Sequence, residues 1–344
     1  MANSVMVTGG AGYIGSHAVQ RLLRDGMHVV CVDNLSRGRS GAVERLAEMG
    51  GDRFHFAKAD IGDRATIAKL LKDHGVECVM HFAALAMVGE SVDEPLLYYR
   101  NNTASVVELL SAVDDAKVSK FVFSSTCATY GEPGEEFVPI PEHCPQKPIN
   151  PYGASKLHVE RMLEDYAAAK KLRGEDFSFA ALRYFNVAGA DRTGVLGEDH
   201  DPETHLIPVV IQAALGKRDG VKIFGTDYPT PDGTCIRDYV HVEDLIDAHV
   251  TVMRALKGHD QRRYNLGIGN GYSVREIIDA TKRVTGAEFP VGEGPRRAGD
   301  PPQLYAQPRA IREELNWTAQ ITDLDEIIRS AWNWYQKHPN GYGG

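Results

Sequence analysis

The sequence predicts an α/β fold: a doubly wound, parallel, Rossmann-type sheet with a second, smaller, mixed α/β domain for substrate. Three observations carry this expectation. Residues 1–190 alternate short β-rich runs with helical patterns. The runs are continuously apolar, as strands buried on both faces of a parallel sheet are. The first run leads directly into a glycine-rich turn that opens a helix, the order a dinucleotide-binding βαβ unit requires.

Taken in order, the expected strands are 4–9 (SVMVTG), 27–33 (MHVVCVD), 53–60 (RFHFAKAD), 76–83 (VECVMHFA), 120–126 (KFVFSST) and 177–185 (FSFAALRYF). Helical patterns fall between them at 12–25, 63–74, 95–113 and 152–172. Such alternation implies right-handed crossovers and helices on both faces of the sheet. Beyond about 187 the pattern loosens. GADRTGVLGEDHDPETHLIP and TDYPTPDGTCIRD are polar and rich in Gly and Pro, and read as long loops, which are often functional. Helices return at 242–256, 273–285 and 322–337. The expected division is a nucleotide-binding domain over 1–186, with a return segment at about 234–262, and a cap over 187–233 and 263–344. The cap is expected over the sheet's C-terminal edge, where open α/β sheets bind ligands.

Composition narrows the function classes. The 344 residues are 43% hydrophobic and 25% charged, ordinary for a soluble globular chain. Thirty-eight basic against 47 acidic residues leave a net charge of −9, which argues against a nucleic-acid partner. No signal peptide is visible, and no apolar run approaches the ~18 residues of a membrane span. The five cysteines are scattered and lack CxxC spacing, so thiols in a cytoplasmic protein are expected and no metal site is.

TGGAGYIGSH (8–17) spaces Gly9, Gly12 and Gly15 as GxxGxxG between a strand and a helix. Glycine permits the tight turn, close approach of backbone to pyrophosphate, and close helix–strand packing. The helix N-terminus adds N–H groups and a positive dipole end. Asp33 ends the next strand, where a carboxylate accepts bonds from ribose hydroxyls and repels a 2′-phosphate, favouring NAD over NADP. Arg37 and Arg39 lie just beyond, but Asp33 opposes a phosphate there. Asp60 is expected to close the third strand and meet the adenine, while Asp63 is the better helix cap.

NPYGASK (150–156) sets Tyr152 and Lys156 four apart, one turn above the other on a helix face. Asn150 suits an N-cap and Pro151 a first helical position. The helix dipole and the Lys156 charge each favour a phenolate, the form in which tyrosine acts as a general base. FSSTCATYG (123–131) places Ser124, Ser125 and Thr126 at the end of a buried strand, with hydroxyls available to a substrate oxygen.

TGxxGxxG, the strand-end Ser/Thr and YxxxK together resemble the extended short-chain dehydrogenase/reductase superfamily. DNLSRG, HFAALAMVGESVDEPLLYYRNN, LRYFNVAGA, IFGTDYPTPDGTCIRDYVHVEDL, YNLGIGNGYSV and RRAGDPP make the chain similar to the UDP-glucose 4-epimerase family within it, from Val5 to the C-terminal helix. The resemblance implies interconversion of UDP-galactose and UDP-glucose through a transient 4-keto sugar on tightly bound NAD. Tyr152 is then the base, Lys156 its tuner on the nicotinamide ribose, and Thr126 the catalytic hydroxyl. It implies NAD contacts from Gly9, Gly12, Tyr13, Ile14, Gly15, Asp33, Asn34, Asp60, Ile61, Phe82, Asn101, Ser124 and Tyr184, besides Tyr152 and Lys156. It implies UDP-sugar contacts from Asn186, His205, Leu206, Phe224, Arg237, Arg297, Asp300 and Leu304, besides Thr126 and Tyr152. A homodimer through the helices near 95–113 and 152–172 is also implied.

Four positions depart from the family pattern. Thr126 stands for the usual Ser, Ala86 for a common lysine near the cofactor phosphates, and His205 for an Asn that often meets the diphosphate. Leu304 occupies the position that gates sugar size, so epimerisation of N-acetylhexosamines or other nucleotide sugars is the alternative. Nucleotide-sugar dehydratases of this scaffold carry an Asp-Glu pair after the strand-end Thr. Cys127 and Ala128 stand there, leaving elimination without its acid and base. Non-catalytic NAD-sensing relatives lose the Tyr or the Lys, and both are present.

Overall fold

The computed structural model describes residues 4–297 and 300–343. The chain forms two compact units, the first made of Met1–Gly131, Pro145–Arg183 and Ile246–Tyr264, the second of Glu132–Cys144, Tyr184–Leu245 and Asn265–Gly344.

The first unit is built on a seven-stranded sheet. Its first six strands in chain order are Ser4–Thr8 (β1), His28–Asp33 (β2), Phe54–Lys58 (β3), Val76–His81 (β4), Lys120–Thr126 (β5) and Ser178–Tyr184 (β6); Gln261–Leu266 is the seventh. Across the sheet the order is β3-β2-β1-β4-β5-β6 and then Gln261–Leu266. The β1–β2, β2–β3, β1–β4 and β4–β5 pairings are all parallel. This is the doubly wound order, with its switch point between β1 and β4. All five residues of β1 are buried, which is why the sequence runs apolar without alternation.

The helices of this unit are Tyr13–Arg24 (α1), Ser40–Gly50 (α2), Arg64–Asp73 (α3), Val88–Asp93 (α4), Pro95–Tyr99 (α5), Ser105–Ala116 (α6) and Pro151–Leu172 (α7). One apolar core joins sheet and helices through Met6, Val32, Phe121 and Phe179 on strands, Ile67 and Leu71 on α3, Leu109 and Val113 on α6, and Leu163 on α7. Two expectations are corrected here. The single helix expected over 95–113 is α5 and α6 separated by a π turn, Arg100–Ala104. β3 stops at Lys58, so Asp60 stands beyond the strand rather than closing it. Asp63 caps α3, accepting the Thr66 N–H at 3.1 Å.

The second unit carries small sheets and two apolar clusters. Asn186–Ala188 (β7) pairs in parallel with Tyr239–His241, and Val221–Phe224 (β8) with Val291–Gly294. Ile236–Arg237 (β9) lies between Tyr272–Ser273 and Gln303–Leu304. A helix over Leu206–Ala214 (α8) occupies ground expected to be loop and its aftermath. It is apolar nearly all round because it is buried on two sides. Ile207 and Ile211 join a cluster around Trp334 and Ile327, while Val210 and Ala213 join one with Ile223 and Phe289. Among the described residues no helix is long and apolar enough to cross a membrane.

Candidate active site

The turn after β1 needs its glycines. Gly9 has φ +72°, and a side chain there would stand 2.5 Å from the Ala83 nitrogen. A Cβ at Gly15 would lie 2.1 Å from the Gly9 carbonyl oxygen, so α1 packs directly on the turn. Gly12 is the N-cap of α1 and supplies no side-chain cap. A turn that admits no side chain at Gly9 or Gly15, set at a helix N-terminus, fits the pyrophosphate of a dinucleotide. Tyr13 and Ile14 are the first residues of that helix.

Asp33 ends β2 and is buried. Its Oδ2 accepts the Ala11 N–H at 3.0 Å and its Oδ1 the Leu35 N–H at 2.8 Å, which fastens the carboxylate to the glycine turn. Burial pushes the Asp33 pKa up, against these two bonds. Asn34 Nδ2 donates to Asp60 Oδ2 at 2.9 Å, and Asp60 Oδ1 accepts the Gly62 N–H at 2.8 Å. Asp33, Asn34, Asp60 and the buried Ile61 therefore gather beyond the C-terminal ends of β2 and β3. Phe82 follows β4, its N–H donating to the Thr8 carbonyl at 3.0 Å, beside the residue that crowds Gly9. Asn101 donates to Asn102 Oδ1 at 2.9 Å in the π turn. Tyr184 ends β6 and is buried.

Asn150 caps α7 through the Gly153 N–H at 2.8 Å, with Pro151 in its first turn, as the sequence indicates. Tyr152 is partly buried, and its phenol is hydrogen-bonded to the Thr126 hydroxyl. Burial pushes the phenol up to about 12, and the Thr126 bond opposes this. Lys156 is buried; its Nζ donates to the Ser124 carbonyl at 2.8 Å and lies 5.0 Å over the Phe123 ring. Burial brings its pKa down to about 7. The expected lowering of the phenol pKa by Lys156 is absent from this arrangement, because the ammonium is drawn to Ser124 and burial dominates both groups.

Sequence reasoning missed several supports of this cluster. Glu160, one turn beyond Lys156, binds Arg183 through Nε at 3.0 Å and Nη2 at 2.6 Å, and it accepts the Ser125 hydroxyl. Arg183 Nη1 also donates to the Tyr130 hydroxyl at 2.9 Å. The charged groups of the pair are 3% and 1% exposed. Asn102 Oδ1 accepts the Leu85 N–H at 2.9 Å, while Nδ2 donates to the Leu85 carbonyl at 2.9 Å and to Ser155 Oγ at 3.2 Å, tying the π turn to α7. Gly153 is fixed by space: a Cβ would lie 2.4 Å from the Ala128 carbonyl oxygen.

In the second unit, Arg237 and Asp300 form an ion pair, and Leu304 sits opposite Arg237 in register. The Arg297 guanidinium lies 4.2 Å over the Phe224 ring. Asn186 opens β7, its N–H donating to the Asp238 carbonyl at 3.0 Å. The buried Asp238 carboxylate accepts N–H groups from Ile268, Gly269 and Ala306 at 2.9–3.2 Å, and burial raises its pKa to about 6. It had no sequence signal beyond its place in IRDY. His205 is the N-cap residue of α8 and Leu206 its first residue. His205 Nδ1 stands 3.0 Å from both Glu198 and Glu203.

A family model described as the NAD dependent epimerase/dehydratase family matches residues 5–267. The chain is 48% identical to a probable UDP-arabinose 4-epimerase 1 of Oryza sativa subsp. japonica, over 98% of this chain and 81% of that protein. It is 46% identical to a UDP-glucose 4-epimerase of Lacticaseibacillus casei, over 99% of each. The crystal structure of a UDP-glucose 4-epimerase from Bifidobacterium longum, in complex with NAD+ and UDP, superposes with a TM-score of 0.92 at 40% identity, over 98% of this chain and 100% of that one.

Proposed function

The chain belongs to the NAD-dependent epimerase/dehydratase family, and from that membership we propose that it is a UDP-sugar 4-epimerase interconverting UDP-galactose and UDP-glucose. The observation that carries the reading is the hydrogen-bonded Thr126–Tyr152 pair with Lys156 one turn along α7, in the unit that holds the glycine cradle. NAD, when bound, supplies reversible uptake and return of hydride at sugar carbon 4. The chain's own residues supply the rest. Tyr152 and Thr126 hold the 4-oxygen and move its proton. Lys156, held on the Ser124 carbonyl one turn along α7, is placed to meet the nicotinamide ribose. The glycine turn and α1 hold the pyrophosphate, and Asp33, with Asn34 and Asp60, the adenosine end. In the second unit, Arg237 and Arg297 offer forked donors to the sugar-nucleotide diphosphate. Asp300 keeps the Arg237 fork in one place. Asn186, Phe224, His205, Leu206 and Leu304 complete the substrate residues.

Incubating the purified protein with UDP-galactose, without added NAD, tests this. Conversion to UDP-glucose is expected from retained cofactor. Tyr152→Phe should lower kcat by roughly 10²–10⁴ while NAD stays bound. No conversion by the unaltered protein, even with NAD supplied, would sink the assignment. A second reading, UDP-arabinose as substrate, is favoured by the 48% identity to the rice protein and by Leu304 at the position expected to gate sugar size. Running UDP-arabinopyranose in the same assay separates the two by their kcat/KM ratio.

A homodimer is part of this proposal. Val92, Leu96, Leu97 and Val107 on α4, α5 and α6 are exposed, Leu96 by 76%, apolar side chains that a partner copy would take out of water. Light scattering should return twice the chain mass. A cytoplasmic location is supported by five cysteines carried as thiols, four of them buried.

A further inference from the structure

We propose that Glu198, His200, Glu203 and His205 bind one divalent metal ion of the zinc class. One ligand atom from each side chain converges, and the four lie within 4.8 Å of one another. His200 Nδ1 is 3.1 Å from Glu198 Oε1, and His205 Nδ1 is 3.0 Å from Glu198 Oε1 and 3.0 Å from Glu203 Oε1. Zinc at ~2.0–2.1 Å from four tetrahedral ligands sets neighbouring ligand atoms roughly 3.3 Å apart. Two imidazole nitrogens and two carboxylate oxygens suit zinc and its first-row neighbours.

An independent observation points the same way. Glu203 Oε2 is buried without a hydrogen-bond partner, in a side chain only 3% exposed. Its Oε1 is already occupied by the Thr204 and His205 N–H groups at 2.7 and 2.8 Å. His200 Nδ1 stands 3.8 Å from Oε2, beyond hydrogen-bond reach. A buried carboxylate oxygen without a donor is costly, and a cation removes the cost. Both carboxylates pair with imidazole rather than with arginine or lysine. The two rings are 5.1 Å apart. Ligation releases the Nδ1 protons to solvent and leaves both rings neutral, with no change of oxidation state.

The ligand set runs against the expectation of no metal site, which rests on cysteine spacing, and is written in the sequence as E-x-H-x-x-E-x-H within GEDHDPETH. The ion would tie both ends of the segment 198–205 together at the entrance to α8. It would also leave the His205 proton on Nε2 as a neutral donor, a point that alone rests on the epimerase reading.

Zn²⁺ titrated calorimetrically into tag-free protein, stripped with EDTA and dialysed, should bind at one equivalent per chain with proton release and raise Tm by a few degrees. Co²⁺ in its place should give the visible absorption of a four-coordinate site. His200→Ala and Glu203→Gln should each weaken Zn²⁺ binding at least tenfold, with folding checked by retained NAD. No heat, no Tm shift and no Co²⁺ spectrum with the unaltered protein would show a self-contained ion-pair cluster and overturn the proposal. Stoichiometric binding that survives both substitutions would overturn the ligand set.

Discussion

Burial acts on Tyr152 and Lys156 in opposite senses, raising the first to about 12 and lowering the second to about 7, because each loses hydration in its charged form. Their placement rests on residues that do no chemistry. Glu160 holds Ser125, next to Thr126 on β5, and Arg183 holds Glu160 from β6. Breaking a buried pair from one side leaves the other charge uncompensated, at about 3–5 kcal/mol. Glu160→Gln should therefore lower stability by an amount of that order, read as a fall in the denaturation midpoint at unchanged m-value. Equal stability would mean that Arg183 finds another anion. The pair was illegible in the sequence because its members stand on different elements, 23 residues apart, and nothing in LRYFNVAGA points Arg183 to Glu160. Tyr152 and Lys156 could be paired from the sequence because their spacing puts them on one helix face, whereas Thr126 stood level with Ser124 and Ser125 and only the family resemblance singled it out.

Elements were legible where burial imposes a period or a continuous run. The six strands named from the sequence all occur, β5 with both ends as expected. The cap of α7 by Asn150 was readable because capping is local. α8 was not, since a helix buried on two sides loses the polar stripe that gives periodicity, and the polar run before it read as loop. The π turn between α5 and α6 was also hidden: the sequence keeps a helical pattern through it, and the Asn102 bonds to Leu85 and Ser155 that accompany it join residues distant in sequence. Gly153 shows how an element's first turn can set a site. The close approach of α7 to the Ala128 carbonyl fixes the distance between Tyr152 on α7 and Thr126, two residues before Ala128. Gly153→Ala forces the two apart, and a misplacement near 1 Å can cost about 10²-fold in rate. The expected result is kcat lower by roughly that factor with KM for the UDP-sugar little changed. A KM change alone would place Gly153 in substrate binding instead.

At the scale of the whole molecule, β1 and β4 are the strands on which both halves of the sheet depend, and their ends are joined by a buried histidine. His81 Nδ1 lies 2.7 Å from the Thr8 hydroxyl, its ring stacks on Phe123 at 5.8 Å, and the residue is 1% exposed. Burial, with a smaller contribution from the Lys156 charge, brings its pKa down from 6.5 to about 3. The unfolded chain therefore binds a proton between these values that the folded chain refuses. A group depressed in this way stabilises the fold fully above the unfolded pKa, and that contribution is lost as pH falls toward the folded one. Each pH unit within the window removes at most about 1.4 kcal/mol, so between pH 6.5 and 4 the loss from this residue is roughly 3 kcal/mol. Carboxylates steepen the acid limb as well, so the informative quantity is the difference between two proteins. His81→Gln keeps a polar group opposite Thr8 without a titrating ring. Its stability at neutral pH should be lower, but its loss from pH 6.5 to 4 should be shallower than that of the unaltered protein, as read by denaturant titrations at a series of pH values. Parallel curves would mean that His81 accepts its proton inside the fold, and that the acid limb belongs to the carboxylates alone.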